Sequence, residues 1–104
     1  MPKQRIWLSY DLGIDGDYEG LYYWLDSYDA KECGDSIATF IFEYKNDLIK
    51  ELKQDLLNSV QIKNKDRFYV IYQENGSLKG KFIFGKRKVA PWKGYAGELE
   101  EEDI

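Results

Sequence analysis

The sequence predicts an α+β domain in which two helices cover one face of an antiparallel sheet. Three observations carry that prediction. Residues 37–44, 67–73 and 78–84 are short apolar stretches, alternating most clearly at 37–44, which is the side-chain period of a strand. Two other stretches, 18–28 and 47–60, repeat their apolar residues at intervals of three and four, the period of a helix. Between the last two strand-like runs stands Asn75-Gly76, the strongest short signal for a two-residue hairpin.

Taken in order, Ile6–Leu12 is the first strand. Ile6, Trp7 and Leu8 are consecutive apolar residues, as in a central strand buried on both faces, and the run ends in Tyr10-Asp11. A carboxylate at the end of a central strand, facing a loop, is a common place for chemistry or metal binding. Gly13–Asp17 forms that loop, with glycines free to adopt positive φ. Asp17 is the expected N-cap of a helix over Tyr18–Tyr28, and Glu19 complements its positive end. Tyr18, Leu21, Tyr22, Leu25 and Tyr28 make its apolar face. Tyr23 and Trp24 widen that face, as core edge or as subunit interface.

Gly34-Asp35 reads as a turn, and the residues before it as a short second strand. Ile37–Tyr44 is a strand with both faces largely apolar. Asn46 or Asp47 caps a second helix over Asp47–Val60. Its stripe is Leu48, Ile49, Leu52, Leu56, Leu57 and Val60, and its polar face, with Glu51 and Asp55, reads as solvated. A polar connection at Gln61–Asp66 leads to the strand Arg67–Gln73, the hairpin and the strand Leu78–Phe84. Gly85–Gly97 is expected to run extended and to pack on its own sheet or a partner's, and Glu98–Ile104 to be a disordered acidic tail. The order is that of a ferredoxin-like split βαβ unit with an extra C-terminal hairpin strand, one domain over residues 1–97. Both helices then cover one face. In a domain of 104 residues the other, ring-lined face calls for a second copy, so a homodimer is expected.

Composition narrows the chemistry. The chain has no histidine, which excludes Ser-His and Cys-His pairs and any His-ligated metal. Its single cysteine, Cys33, cannot form an internal disulfide and fits a reducing compartment, where it reads as a small half-buried residue near a turn. No run approaches the ~20 apolar residues of a membrane span, and the apolar run after the basic N-terminus is too short for a signal peptide. A cytoplasmic protein with no membrane contact is therefore expected.

The net charge of −4 is unevenly spread. Residues 1–35 hold three basic and eight acidic residues, and residues 98–103 hold five acids. Residues 77–97 hold six basic residues and no acid: Lys79, Lys81, Lys86, Arg87, Lys88 and Lys93. With Trp92 among them, this stripe has two readings. It binds nucleic acid through phosphate contacts and stacking, or it is a soluble edge strand followed by interface aromatics.

Several short motifs, in order, resemble one family. They are Leu8-Ser9-Tyr10-Asp11-Leu12, the helix start Asp17-Tyr18-Glu19-Gly20-Leu21-Tyr22, the junction Gly34-Asp35-Ser36-Ile37-Ala38-Thr39-Phe40, and Asp66-Arg67-Phe68-Tyr69-Val70-Ile71. Over residues 5–73 the chain resembles the Cas-two superfamily, the small CRISPR adaptation subunit, with its VapD-like and SinR-like relatives of uncertain role. The resemblance implies a homodimer in which Asp11 from both protomers holds one magnesium for phosphodiester hydrolysis, with Ser9 and Tyr10 supporting it. It equally implies a non-catalytic scaffold that binds nucleic acid or a protein partner in a defence or toxin–antitoxin setting. The loop acids Asp15, Asp17 and Glu19 repel a phosphate backbone, and the basic residues lie late, at 79–93, so the scaffold is the preferred expectation.

Overall fold

In the computed structural model, residues 1–98 are described. The described residues are α+β, with a five-stranded antiparallel open sheet and three helices. Its elements are β1 (Lys3–Asp11), α1 (Tyr18–Ser27), β2 (Lys31–Glu32), β3 (Ile37–Glu43), α2 (Leu48–Ser59), β4 (Arg67–Glu74), β5 (Ser77–Phe84) and α3 (Tyr95–Glu98). The sheet order is β2-β3-β1-β4-β5, with every neighbouring pair antiparallel. The first strand is thus central, as its apolar run predicts.

One face of the sheet makes the core. Ile6, Leu8 and Tyr10 of β1, Ala38, Phe40 and Phe42 of β3, and Phe68, Val70 and Tyr72 of β4 are all buried. Leu21, Trp24 and Leu25 of α1 and Leu48, Leu52 and Leu56 of α2 close over them. The rings interlock: Trp24 stands edge-on to Phe40 at 5.4 Å, and Tyr28 lies 5.0 Å from Phe40. Edge and tilted contacts of this kind suit the ring quadrupoles better than face-to-face stacking.

The other face is only partly covered. Trp7, Ile71 and Phe82 are half-buried there, while Ile41 and Leu78 are exposed. Along β1 the faces alternate, so Ser9 and Asp11 share this open face, and Tyr10 points to the core.

The hairpin forms as Asn75-Gly76 predicts. Glu74 pairs with Ser77, and both turn residues have positive φ, 53° and 78°. At the far end of that hairpin a β-bulge shifts the register between Phe68 and Tyr69, so Phe68 faces Phe84 while Tyr69 faces Phe82.

Several expectations change. β1 begins at Lys3, because Lys3, Gln4 and Arg5 pair with Glu43, Phe42 and Ile41. The polar face of α2 is not simply solvated. Glu51 accepts the backbone N–H groups of Lys45, Asn46 and Asp47, each at 2.8 Å. Those bonds, that of Asn46 first, hold its carboxyl below the usual range. Asp55 accepts from Trp24 Nε1 at 2.9 Å and from the Tyr28 hydroxyl, tying α2 to α1. Cys33 is exposed, since the two-residue β2 leaves it at the rim. Residues 85–94 are irregular and lead into α3, and Trp92 and Tyr95 are 73% and 66% exposed rather than packed on the sheet. The acidic tail is expected over residues 98–104; Glu98 ends α3, and the rest lies outside the described residues. Among the described residues no helix is long and apolar enough to cross a membrane.

Candidate nucleic-acid interface

Asp11 is the last residue of β1 and Arg67 the first of β4, and the ladder sets them opposite each other. Arg67 Nη2 donates to Asp11 Oδ2 at 2.9 Å. The Asp11 side chain is 59% exposed and that of Arg67 26%. The expected strand-end carboxylate is therefore where the sequence puts it, but it faces a guanidinium.

Asp66, one residue before, holds the surrounding loops. It is 1% exposed, the one buried charged side chain among the described residues. Its Oδ1 accepts from Gly13 N–H at 3.1 Å and its Oδ2 from Lys63 N–H at 2.8 Å. The β1–α1 loop and the α2–β4 loop are thus clamped together by one carboxylate. Gly85 closes the other side. It has φ of 76°, and a Cβ there would lie 2.7 Å from Arg67 Cγ and 2.9 Å from the Asp66 carbonyl oxygen. Only glycine fits both the dihedral and the approach.

This scaffolding gathers cations around Arg67. A cleft of about 560 Å³ runs along Asp11, Asp15, Lys63, Lys65 and Lys88. A second of about 750 Å³ runs along Lys65, Arg67, Lys86, Arg87 and Lys88. A smaller pocket of about 270 Å³ is lined by Ser9, Asp11, Arg67, Tyr69, Phe82 and Arg87. Tyr69 and Phe82 meet edge-on at 4.8 Å, and the Arg87 guanidinium lies 5.5 Å from the Phe82 ring and 5.9 Å from that of Tyr69.

The acids of the β1–α1 loop are engaged. Lys63 Nζ lies 3.9 Å from the Asp15 carboxylate and donates to the Asp15 carbonyl. Asp17 caps α1 through Gly20 N–H and also accepts from Gln61 N–H, both at 2.9 Å. Those two bonds, that to Gln61 first, lower its pKa. The loop is therefore a cap and a clamp.

The expected site residues separate. Ser9, Asp11 and Arg87 share the small pocket, and Lys86 and Lys88 flank it. Tyr10 does not join Asp11. It is 8% exposed, its hydroxyl donates toward the Asp35 carbonyl at 3.4 Å, and burial, with Tyr22 and Tyr18 nearby, raises its pKa. Lys79 and Lys81 are in register with Tyr72 and Val70, so they lie toward the helix-bearing face, away from the pocket. Trp92 and Lys93 sit in an exposed turn and line none of these three clefts. Lys63, Lys65 and Arg67 are the cations sequence reasoning passed over. Their signal was the alternation of 63, 65 and 67 leading into a strand, hidden by the balanced charge of residues 36–76.

One chain does not fit a magnesium site. Magnesium wants carboxylate oxygens without a competing cation, whereas Asp11 carries Arg67. Among the described residues no three His, Cys, Asp or Glu side chains converge on a common point. Comparison of the chain with family models, with curated proteins and with solved structures returns no match, so its chemistry is read from the geometry above.

Proposed function

We propose that the protein is a non-catalytic, nucleic-acid-binding module of ferredoxin-like, Cas-two-like design that works as a homodimer in a defence or toxin–antitoxin setting. The observation that carries this reading is the convergence of Lys63, Lys65, Arg67, Lys86, Arg87 and Lys88 on adjoining clefts beside two rings. Lysines and arginines neutralise phosphates and release counterions, and neighbouring rings accept bases. The strand order β2-β3-β1-β4-β5 supports the split βαβ reading, with β5 added at the edge of β4. The open face supports a dimer: Trp7 and Ile71 pair on it, and Ile41 and Leu78 are exposed on the same face, next to Arg5 and Gln73.

The alternative is a magnesium-dependent endonuclease using Asp11 of both protomers. The exposure of Asp11 beside a cleft favours it; the bond to Arg67 weighs against it. Cleavage of nucleic acid that requires magnesium and disappears in Asp11→Asn would establish the alternative.

The test of the main reading is binding to single-stranded and duplex nucleic acid from about 50 to 200 mM salt. The logarithm of affinity is expected to fall linearly with that of salt, by roughly 0.7 per phosphate contact for single strands. Neutralising Lys65, Arg87 and Lys88 together should flatten that slope by about two. A flat response in the unaltered protein would point to a protein partner instead. Sedimentation of the free protein tests the homodimer.

A further inference from the structure

The small pocket beside Asp11 has more chemical detail than phosphate binding needs. Its volume of about 270 Å³ falls just below the ~300–1,000 Å³ of sites for whole drug-sized ligands and suits one flat heterocycle. Two walls are the rings of Tyr69 and Phe82, set 68° apart. Tyr69 lies across Gly80, where a Cβ would come within 2.7 Å of its Cζ, so the bare backbone at 80 is what lets the ring lie down. Ser9 lines the pocket from the central strand, and the Arg87 guanidinium stands over both rings.

At the rim sits a carboxylate, which is the wrong charge for a phosphate and the right one for a donor edge. Among the described residues the donor to Asp11 is Arg67 Nη2, on Oδ2, which leaves Oδ1 free and a second lone pair on Oδ2, so the carboxylate still accepts two donors. The same bond fixes the orientation of the carboxylate. Arg67 Nε is buried without an acceptor, an unmet donor in the residue that forms the next wall.

We infer that this pocket takes one unpaired guanine of a single-stranded nucleic acid, with Asp11 accepting from its Watson–Crick edge and the neighbouring lysines holding the flanking phosphates. This inference rests on the nucleic-acid reading above. Guanine is the base whose edge offers two adjacent donors, N1–H and the N2 amino group, to one carboxylate. Uracil offers one donor between two acceptors. Adenine and cytosine each offer an amino group beside a ring nitrogen that repels the carboxylate. In a duplex this edge is paired, so the strand must be single, with the base splayed onto aromatic side chains.

The experiment is fluorescence anisotropy of the full chain with labelled single-stranded RNA octamers: all uridine, and the same with one central guanosine, inosine or adenosine. Inosine lacks the N2 amino group. The guanosine octamer should bind about tenfold tighter than the all-uridine one, the discrimination expected of one bidentate pair, and inosine should lose most of that gain. In both Asp11→Asn and Asp11→Ser, with folding checked by circular dichroism, the ratio should collapse to about one. Equal, salt-sensitive binding of all four octamers would overturn the guanine inference while leaving the nucleic-acid module standing. A guanosine preference that survives in both Asp11 variants would also overturn it. If no octamer binds, the nucleic-acid reading fails, and this inference with it.

Discussion

Arg67 Nη2 donates to Asp11 Oδ2 at 2.9 Å across the β1–β4 ladder, joining residues that are 56 apart in the chain. The pair neutralises the carboxylate at the centre of a cationic surface. An exposed pair of this kind adds little to stability, so Asp11→Ala should change the unfolding free energy by no more than about 1 kcal/mol. The same change removes one negative charge from the cleft and releases Arg67. Affinity for an all-uridine strand should rise, as measured by anisotropy at fixed salt. Arg67→Ala should lower it and reduce the salt slope by about one.

Asp66 carries the opposite balance: little direct role in binding and a large one in stability. It holds Gly13 and Lys63 by their backbone N–H groups from a buried position. Asp66→Ala leaves both donors without their acceptor and should cost about 3 kcal/mol in chemical denaturation. Asp66→Asn, which keeps one carbonyl oxygen, should cost less. Binding should weaken in proportion to the loss of order in the two loops that Asp66 clamps.

Tyr28 links the helices. Burial, then the Asp55 hydrogen bond, push its phenol well above the ordinary range, and burial likewise raises Tyr10 and Tyr72. In the unfolded chain all tyrosines ionise near ~10. Between that value and the higher folded one, the native state holds more protons than the unfolded state. Stability is therefore full below about pH 10 and falls as pH rises above it. A phenolate absorbance titration should show Tyr10, Tyr28 and Tyr72 ionising at higher pH in the folded protein than in urea. Tyr28→Phe keeps the ring and loses the hydroxyl, and should cost about 2 kcal/mol.

Asp17 and Glu51 set the acid limb. Backbone N–H groups lower the pKa of both carboxyls. Their contribution is present above the ordinary carboxylate range, about pH 4, and is lost as pH falls through the lowered folded values. The urea midpoint should fall on acidification below about pH 4. In Glu51→Gln and Asp17→Asn that acid dependence should be shallower than in the unaltered chain, and Asp17→Ala should destabilise more than Asp17→Asn, because the amide oxygen still caps α1.

Much of the fold was legible in the residues. The stripes of α1 and α2 put Leu21, Leu25, Leu52 and Leu56 in the core, and Asn75-Gly76 makes the turn its two positive φ values allow. These are local signals, set by periods of 3.6 and two and by glycine's freedom. Tertiary partners were less visible. Glu51 and Asp55 look alike as exposed helical acids, yet one caps a loop and the other binds two aromatic side chains of α1. Residues 85–97 lack a period of their own, and the expectation of an extended run there gives way to turns and a short α3.

The sequence by itself determined that Asp11 ends a central strand, because an uninterrupted apolar run belongs where both faces are covered or close to it. The expectation that Tyr10 supports Asp11 fails, since neighbours on a strand point to opposite faces and Tyr10 turns to the core. Only the tertiary structure decided what Asp11 meets. The antiparallel pairing of β1 with β4 sets Arg67 across from it, the buried Asp66 draws in the Lys63 loop, and Gly85 lets residues 86–88 approach. Each of those steps joins segments far apart in the chain through a backbone ladder or one buried hydrogen bond, and no local pattern of charge or hydropathy encodes such a meeting.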